Sequence, residues 1–84
     1  MTNSTFQHPH TEQWRALYRA ALLETNPLTA CQKIADAEAA VVARTRELFH
    51  ETGQEAEVER DALDDALYAL RALRNAAEHA DSAA

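Results

Sequence analysis

The feature that most constrains the fold is a long run of good helix formers between Asn26-Pro27 and Gly53. Pro27 suits a first helical turn because it has no N–H to lose and its φ is already near the helical value, and Asn26 is a favourable N-cap. Gly53 is the only glycine in the chain, and we interpret it as the left-handed residue that ends the helix. The pattern predicts a central helix of about 26 residues, roughly 39 Å long.

Apolar residues of this central helix repeat at helical spacing. Ile34, Val41 and Leu48 are seven residues apart, as along the seam of a helical bundle. Two polar residues, Glu38 and Thr45, fall inside the same stripe. A buried carboxylate is costly unless it is paired or hydrogen-bonded, so we expect Glu38 to have a partner inside the protein.

A shorter helix is predicted before the central one, from Glu12 to about Glu24, with Thr11 as its N-cap. Its apolar face carries Trp14 and Tyr18, one turn apart. We expect the two aromatic rings to stack along the seam and to form part of the core.

The link Thr25-Asn26 is so short that the first helix must fold back antiparallel on the central one. Counting equal distances from the turn places Trp14 near Glu38. Buried indole and phenol groups usually donate a hydrogen bond, so we expect Trp14 or Tyr18 to donate to Glu38 and to set the register of the first helix.

A third helix is predicted after Gly53, beginning between Gln54 and Asp61 and fraying from Glu78 onward, because leucine and alanine recur at helical spacing between those limits. It must run antiparallel to the central helix. Arg71 and Arg74 lie at or beside its inner stripe. Either they pair with a carboxylate such as Glu38 or Glu24, or their stems pack on the core while their charged heads stay in water. We interpret the acidic run Glu55, Glu57 and Glu59 as solvated surface.

These elements predict an all-α, three-helix fold in which a short first helix packs on a long antiparallel helical hairpin. At 84 residues the chain is long enough for one small domain. We expect a flexible tail over residues 1–10, a single helical domain over 11–80 and a frayed terminus over 81–84.

The predicted first helix is about half as long as the other two, so it covers only half of the hairpin. The remaining half leaves an open apolar seam, and exposed apolar patches usually mark interfaces. A second copy is the simplest closure, giving a two-fold homodimer. Another helical protein, or the N-terminal tail with Phe6, is the alternative. The predicted interface consists of Val42, Thr45, Leu48, Phe49, Val58 and Leu63.

Charge and cysteine content exclude several classes of partner. The net charge of −6 without a run of Lys or Arg argues against nucleic acid, which requires a basic face. No apolar stretch is long enough to span a membrane, and the N-terminus lacks the pattern of a signal peptide. A single cysteine forms no internal disulfide, which fits a reducing compartment. We therefore predict a cytoplasmic protein that binds neither nucleic acid nor membrane.

No residue pattern indicates catalysis or a cofactor. His8 and His10 lack a third ligand at regular spacing, and Cys31 is predicted to be a small core residue. Glu47-x-x-His50 is the one match to a di-iron carboxylate motif and has no second copy. A single glycine allows no phosphate-binding loop. We expect no enzyme activity, no metal and no cofactor.

Five short motifs resemble a pattern found in small helical bacterial proteins of unassigned function. They are Trp14-x-x-Leu17-Tyr18-x-x-Ala21, Glu24-Thr25, Ala37-Glu38-x-Ala40, Arg44-x-x-Glu47-Leu48 and Ala66-Leu67-x-Ala69-Leu70-x-x-Leu73. The resemblance extends from Trp14 to Leu73. It implies a helical fold and carries over no activity and no functional residue.

The function predicted from the sequence is a non-enzymatic module for protein–protein interaction or self-association. The alternative is a helical bundle that binds a small ligand or a metal in a polar pocket around Glu38. The residues expected at that pocket are Trp14, Tyr18, Glu38, Thr45, Arg71 and Arg74.

Overall fold

The chain folds into three α-helices joined by short links. The computed structural model of the protein describes residues 9–83, with the side chains of residues 10–79. Helix α1 spans Pro9–Leu23, α2 spans Pro27–Leu48 and α3 spans Gln54–Ala83, and this range contains no strand. The predicted all-α, three-helix arrangement is confirmed.

The start of α2 follows the sequence signal. The Asn26 side chain accepts a hydrogen bond from the Leu28 N–H at 3.0 Å, and the Asn26 carbonyl accepts from the Ala30 N–H at 2.7 Å. Asn26 is extended, with φ −84° and ψ 116°, because the residue before a proline is excluded from the α region. Its own N–H donates to the Glu24 carboxylate at 3.0 Å. The link between α1 and α2 is thus held by local hydrogen bonds.

The end of α2 differs from the prediction. Gly53 does not terminate this helix, which ends at Leu48. Gly53 instead has φ +112° directly before α3, and its carbonyl accepts the Glu57 N–H at 3.2 Å. Its left-handed backbone therefore opens α3 rather than closing α2. Arg60 ties the link after α2 to α3, because its guanidinium donates to the carbonyl of Leu48, at 2.9 Å, and to that of Glu51.

Helices α1 and α3 are both longer than predicted. Helix α1 begins at Pro9, because proline suits the first turn of a helix as well as it suits a flexible segment. The predicted tail over residues 1–10 therefore ended two residues too late, and Phe6 and His8 lie outside the described residues. Helix α3 starts at the earlier of its two predicted positions and continues to Ala83, so fraying from Glu78 is not observed.

Helix α2 lies between the other two helices. It packs extensively against both α1 and α3, whereas α1 and α3 contact each other much less, and the backbone measures 49 × 26 × 15 Å along its principal axes. Each outer helix runs antiparallel to α2, so α1 and α3 point in the same direction. Ile34, Val41, Leu63 and Leu70 are the largest fully buried side chains, and they fix the core between α2 and α3.

None of the helices in the described range is long and apolar enough to cross a membrane.

Candidate functional site

A buried polar cluster joins all three helices at the end of the molecule where α3 begins. Its centre is Glu59 on α3. The Oε2 atom of Glu59 accepts hydrogen bonds from the Thr11 hydroxyl at 2.7 Å, the Trp14 indole N–H at 3.0 Å and the Arg44 Nε–H at 2.9 Å. Arg44 Nη2 donates to Oε1 at 3.0 Å. Guanidinium and carboxylate thus meet in a bidentate pair, the stronger geometry for such ions.

A second carboxylate extends the cluster to the surface. Glu47 accepts from Arg44 Nη1 at 3.0 Å and contacts His10 Nδ1 at 2.7 Å. The Arg44 side chain is only 8% exposed and that of Glu59 12%, whereas Glu47 and His10 are open to water. One buried guanidinium therefore bridges an internal carboxylate and a surface carboxylate.

Burial and hydrogen bonding have opposite effects on the pKa of Glu59. Burial by itself raises this pKa, but the hydrogen bonds from Arg44, Thr11 and Trp14 outweigh it and lower the pKa from 4.5 to about 2. The hydrogen bond from His10, followed by that from Arg44, lowers the pKa of Glu47. Glu59 is ionised at neutral pH and its oxygens are occupied by donors, so the cluster suits a structural role better than proton transfer.

The cluster was not predicted, because each charged residue was assigned to the surface or left out. Arg44 is three residues after Val41 and four before Leu48, and Glu59 is three after Ala56 and four before Leu63. Both charges therefore interrupt an apolar stripe on adjacent antiparallel helices, at similar distances from the turn between them. This pattern in the sequence would have been sufficient to predict the pairing of Arg44 with Glu59. The interpretation of Glu59 as solvated surface was wrong.

The predicted contact between Trp14 and Glu38 is not formed. Trp14 is opposite Arg44, roughly a turn and a half further along α2. Counting equal distances from the turn assumed a tight reversal at Thr25-Asn26. The link over residues 24–26 is instead extended at Asn26, and α1 is displaced toward the C-terminal end of α2. The Trp14 and Tyr18 rings are 6.3 Å apart and tilted by 44°, so they touch without stacking in parallel.

Glu38 finds its partner on α3. Arg74 Nη1 donates to Glu38 Oε1 at 2.8 Å, which is one of the pairings that the sequence left open. Arg71 is exposed, and Glu24 pairs with Lys33 at 2.7 Å rather than with an arginine of α3. The remaining oxygen of Glu38, Oε2, is buried and accepts no hydrogen bond from the described residues. Glu38, Trp14 and Thr45 are thus not brought together, and the Thr45 hydroxyl donates to the Val41 carbonyl at 2.8 Å.

The predicted interface residues separate into core and surface. Leu48 and Leu63 are 3% and 1% exposed, so assigning them to an open seam was wrong. The cause is α1, which begins earlier and extends further along α2 than predicted, and closes this end with Trp14. Phe49 and Val58 are 77% and 59% exposed. Val42 is half-buried and Thr45 is exposed.

A second group of large apolar side chains is exposed to water. Leu22, Leu23 and Leu28 flank the link between α1 and α2 and are 47%, 73% and 80% exposed. In the last turn of α1 and the first turn of α2, the buried positions are taken by Ala21 and Ala30, which are 2% and 9% exposed, and the leucines lie outside the core. Tyr68, which falls off the stripe of α3, is 80% exposed.

A shallow groove of about 300 Å³ runs between α1 and α2. Ala39, Ala40 and Ala43 line one side, and His10 and Glu47 lie at one end. Cys31 is exposed rather than buried, which corrects its assignment to the core. Within the part of the chain that the structure describes, no three His, Cys, Asp or Glu side chains are grouped to hold a metal ion.

Comparison of the chain with protein-family models, with curated proteins and with solved structures gives no match in any of the three. The resemblance to small helical bacterial proteins therefore remains a prediction.

Proposed function

We propose that this protein is a non-enzymatic helical module for protein–protein interaction, located in the cytoplasm, and that its first partner is a second copy of itself. The observation that carries the proposal is a group of six large apolar side chains that are 47% to 80% exposed although the core is complete. They are Leu22, Leu23, Leu28, Phe49, Val58 and Tyr68.

Single exposed apolar residues are ordinary, but several that border one another mark an interface. Three of the six flank the link between α1 and α2, and Phe49 lies at the opposite end of α2. Aromatic residues and leucine at such places gain free energy when a partner removes them from water. The net charge of −6 supports a protein partner over nucleic acid.

The groove between α1 and α2 supports a helical partner. Alanine at positions 39, 40 and 43 leaves the α2 backbone close to the surface of this groove. A partner helix can approach such a surface with its own apolar stripe.

The test is the absolute mass in solution, measured by light scattering over a range of concentrations. We expect the mass to rise above the 9.3 kDa of one chain with concentration. Replacing Leu22 and Leu23 together by serine should return it to that of one chain, and Phe49→Ser should show whether the other end contributes. Ala16→Ser is the matched control for a polar change at an exposed helical position outside the groove.

A wild-type mass of one chain at every concentration would contradict self-association. Cross-linking in an extract of the source cells would then test a different helical partner, whose capture must be lost in the Leu22→Ser/Leu23→Ser variant. Failure of both experiments contradicts the proposed function.

Ligand binding is the second candidate, and the buried Oε2 atom of Glu38 is the observation that favours it. An amine or another hydrogen-bond donor could supply the missing partner. A compound of that class should raise the melting temperature of the wild type and leave that of Glu38→Leu unchanged. An equal rise in both would contradict this candidate.

A further inference from the structure

We infer that α1 and α3 form one self-complementary face, and that a second copy docks on it about a two-fold axis parallel to the helices. This inference rests on the proposed self-association and names the surface that performs it.

The α1 half of this face borders the contact with α3. The Thr11 hydroxyl reaches Glu59, which defines the side of α1 that is turned toward α3. Arg15 and Leu22 follow Thr11 by four and eleven residues, which places them about 40° and 20° from it around the helix. Arg19 lies one turn beyond Arg15. All three are exposed, so α1 presents two guanidinium groups followed by a leucine.

The α3 half presents carboxylates around an apolar strip. Ala62 and Ala69 are half-buried beside the contact with α1, and the exposed residues Val58 and Asp65 share their side of the helix. Asp61 lies one turn before Asp65. The strip of Val58, Ala62 and Ala69 therefore has acidic residues along its outer edge.

The charges of the two halves are complementary. Helix α1 carries Arg15 and Arg19 against Glu12, a net charge of +1, whereas α3 carries eight carboxylates against three arginines, a net charge of −5. Neither Arg15 nor Arg19 makes an ion pair with the residues that the structure describes, and Asp61 and Asp65 make none there either. The Arg15 guanidinium carbon lies 5.3 Å from the centroid of the Trp14 ring, and all four charged side chains are exposed to a second copy.

The arginines of α1 lie level with the aspartates of α3 along the helix axes. Thr11 and Trp14 both bond to Glu59, 48 and 45 residues away in the chain. Residues of α1 and α3 that differ by about that number are therefore level along the helix axes. Arg15 and Asp61 differ by 46 residues, and so do Arg19 and Asp65.

Rotation about a two-fold axis parallel to the helices leaves the position of each residue along that axis unchanged. It places Arg15 opposite the partner's Asp61 and Arg19 opposite the partner's Asp65, and it repeats both pairs by symmetry. Leu22 is level with Tyr68 by the same difference of 46. The contact would bury Leu22, Val58 and the edge of Tyr68, with the ion pairs at its rim.

The experiment is a charge exchange, read by light scattering and sedimentation equilibrium. Arg15→Glu with Arg19→Glu should raise the dissociation constant of the dimer by at least about a hundredfold, since facing like charges cost several kcal/mol. Asp61→Arg with Asp65→Arg should do the same. A chain with all four changes should dimerise like the wild type. Asp36→Arg with Glu51→Arg is the control, because these exposed residues lie outside α1 and α3 and give the same change in charge.

Circular dichroism shows whether each variant remains helical, and the four-change chain keeps the test valid if one double variant unfolds. Restoration of the dimer by the four changes supports the inference. A dimer that persists in both double variants overturns it and leaves self-association through another surface standing. A wild type that is monomeric at every concentration overturns this inference together with self-association.

Discussion

Two arginine–carboxylate pairs hold α3 against α2, and they differ in almost every physical respect. Arg44 and Glu59 are 8% and 12% exposed and meet in a bidentate pair, to which α1 adds two donors. Arg74 and Glu38 are 46% and 14% exposed and meet through one hydrogen bond, which leaves the second carboxylate oxygen without a donor. The first pair ties three helices together, and the second is an ion pair at the edge of the core.

A buried charge offsets its desolvation cost only when hydrogen bonds from its neighbours satisfy its remaining polar atoms. Glu59 meets that condition because Thr11 and Trp14 complete its coordination. Glu38 does not.

The largest effect is expected from Arg44→Met, which keeps the apolar stem but removes the guanidinium. Glu59 would remain buried without its counter-ion, and breaking such a pair costs about 3–5 kcal/mol. Arg74→Met is the matched control and should cost at most about 1 kcal/mol, because Arg74 is half in water. Urea unfolding followed by circular dichroism measures both. Equal losses would show that the two pairs are equivalent.

Acid should act through the same carboxylate. Because the pKa of Glu59 is lowered in the folded protein, its contribution is fully present above the unfolded value of 4.5 and is lost as the pH falls through about 2. The difference corresponds to roughly 3 kcal/mol at neutral pH. Glu24 and Glu47, whose pKa values are also lowered, act in the same direction.

Urea midpoints at pH 7 and pH 3 measure this loss. The variant Glu59→Gln should show a smaller decrease between the two pH values than the wild type. An unchanged decrease would mean that other carboxylates account for the acid sensitivity.

A smaller effect is expected from Thr11→Val, which removes one donor to Glu59 while keeping the shape of the side chain. The free energy of unfolding should fall by about 1–2 kcal/mol, because hydrogen bonds to charged groups are worth more than neutral ones. The pKa of Glu59, followed by NMR, should rise. Thr45→Val is the control, since its hydroxyl bonds only to a backbone carbonyl within α2. A larger loss in the control would contradict the central role of Glu59.

The smallest effect, and the one of opposite sign, is expected from Glu38→Leu. This change removes a buried oxygen that has no donor and one partly exposed ion pair, so the melting temperature should stay the same or rise. Glu38→Gln should be close to neutral. A loss of several kcal/mol in Glu38→Leu would show that Glu38 is as important to the fold as Glu59.

Local signals in the sequence were sufficient for the helices themselves. Asn26-Pro27 marks the start of α2, and leucine spacing marks α3, because capping and periodicity depend only on neighbours within a turn or two. Gly53 was correctly predicted to lie between two helices, but it was assigned to the end of α2 rather than to the start of α3. A left-handed residue between two helices can end the first or precede the second. One contact was accessible in part: the pairing of Glu38 with Arg74 is among the alternatives that the sequence left open, because both residues lie at or beside the inner stripes of the hairpin.

Capping and periodicity in the sequence are enough to predict three helices, their order, the antiparallel hairpin and the unusual position of Glu38. The position of α1 along the axis of α2 became clear from the structure alone. That position sets the partner of Trp14, the burial of Leu48 and Leu63, and the role of Glu59. The physical reason is that an extended link of three residues moves the whole of α1 along α2. No local pattern encodes that displacement, and every contact of α1 depends on it.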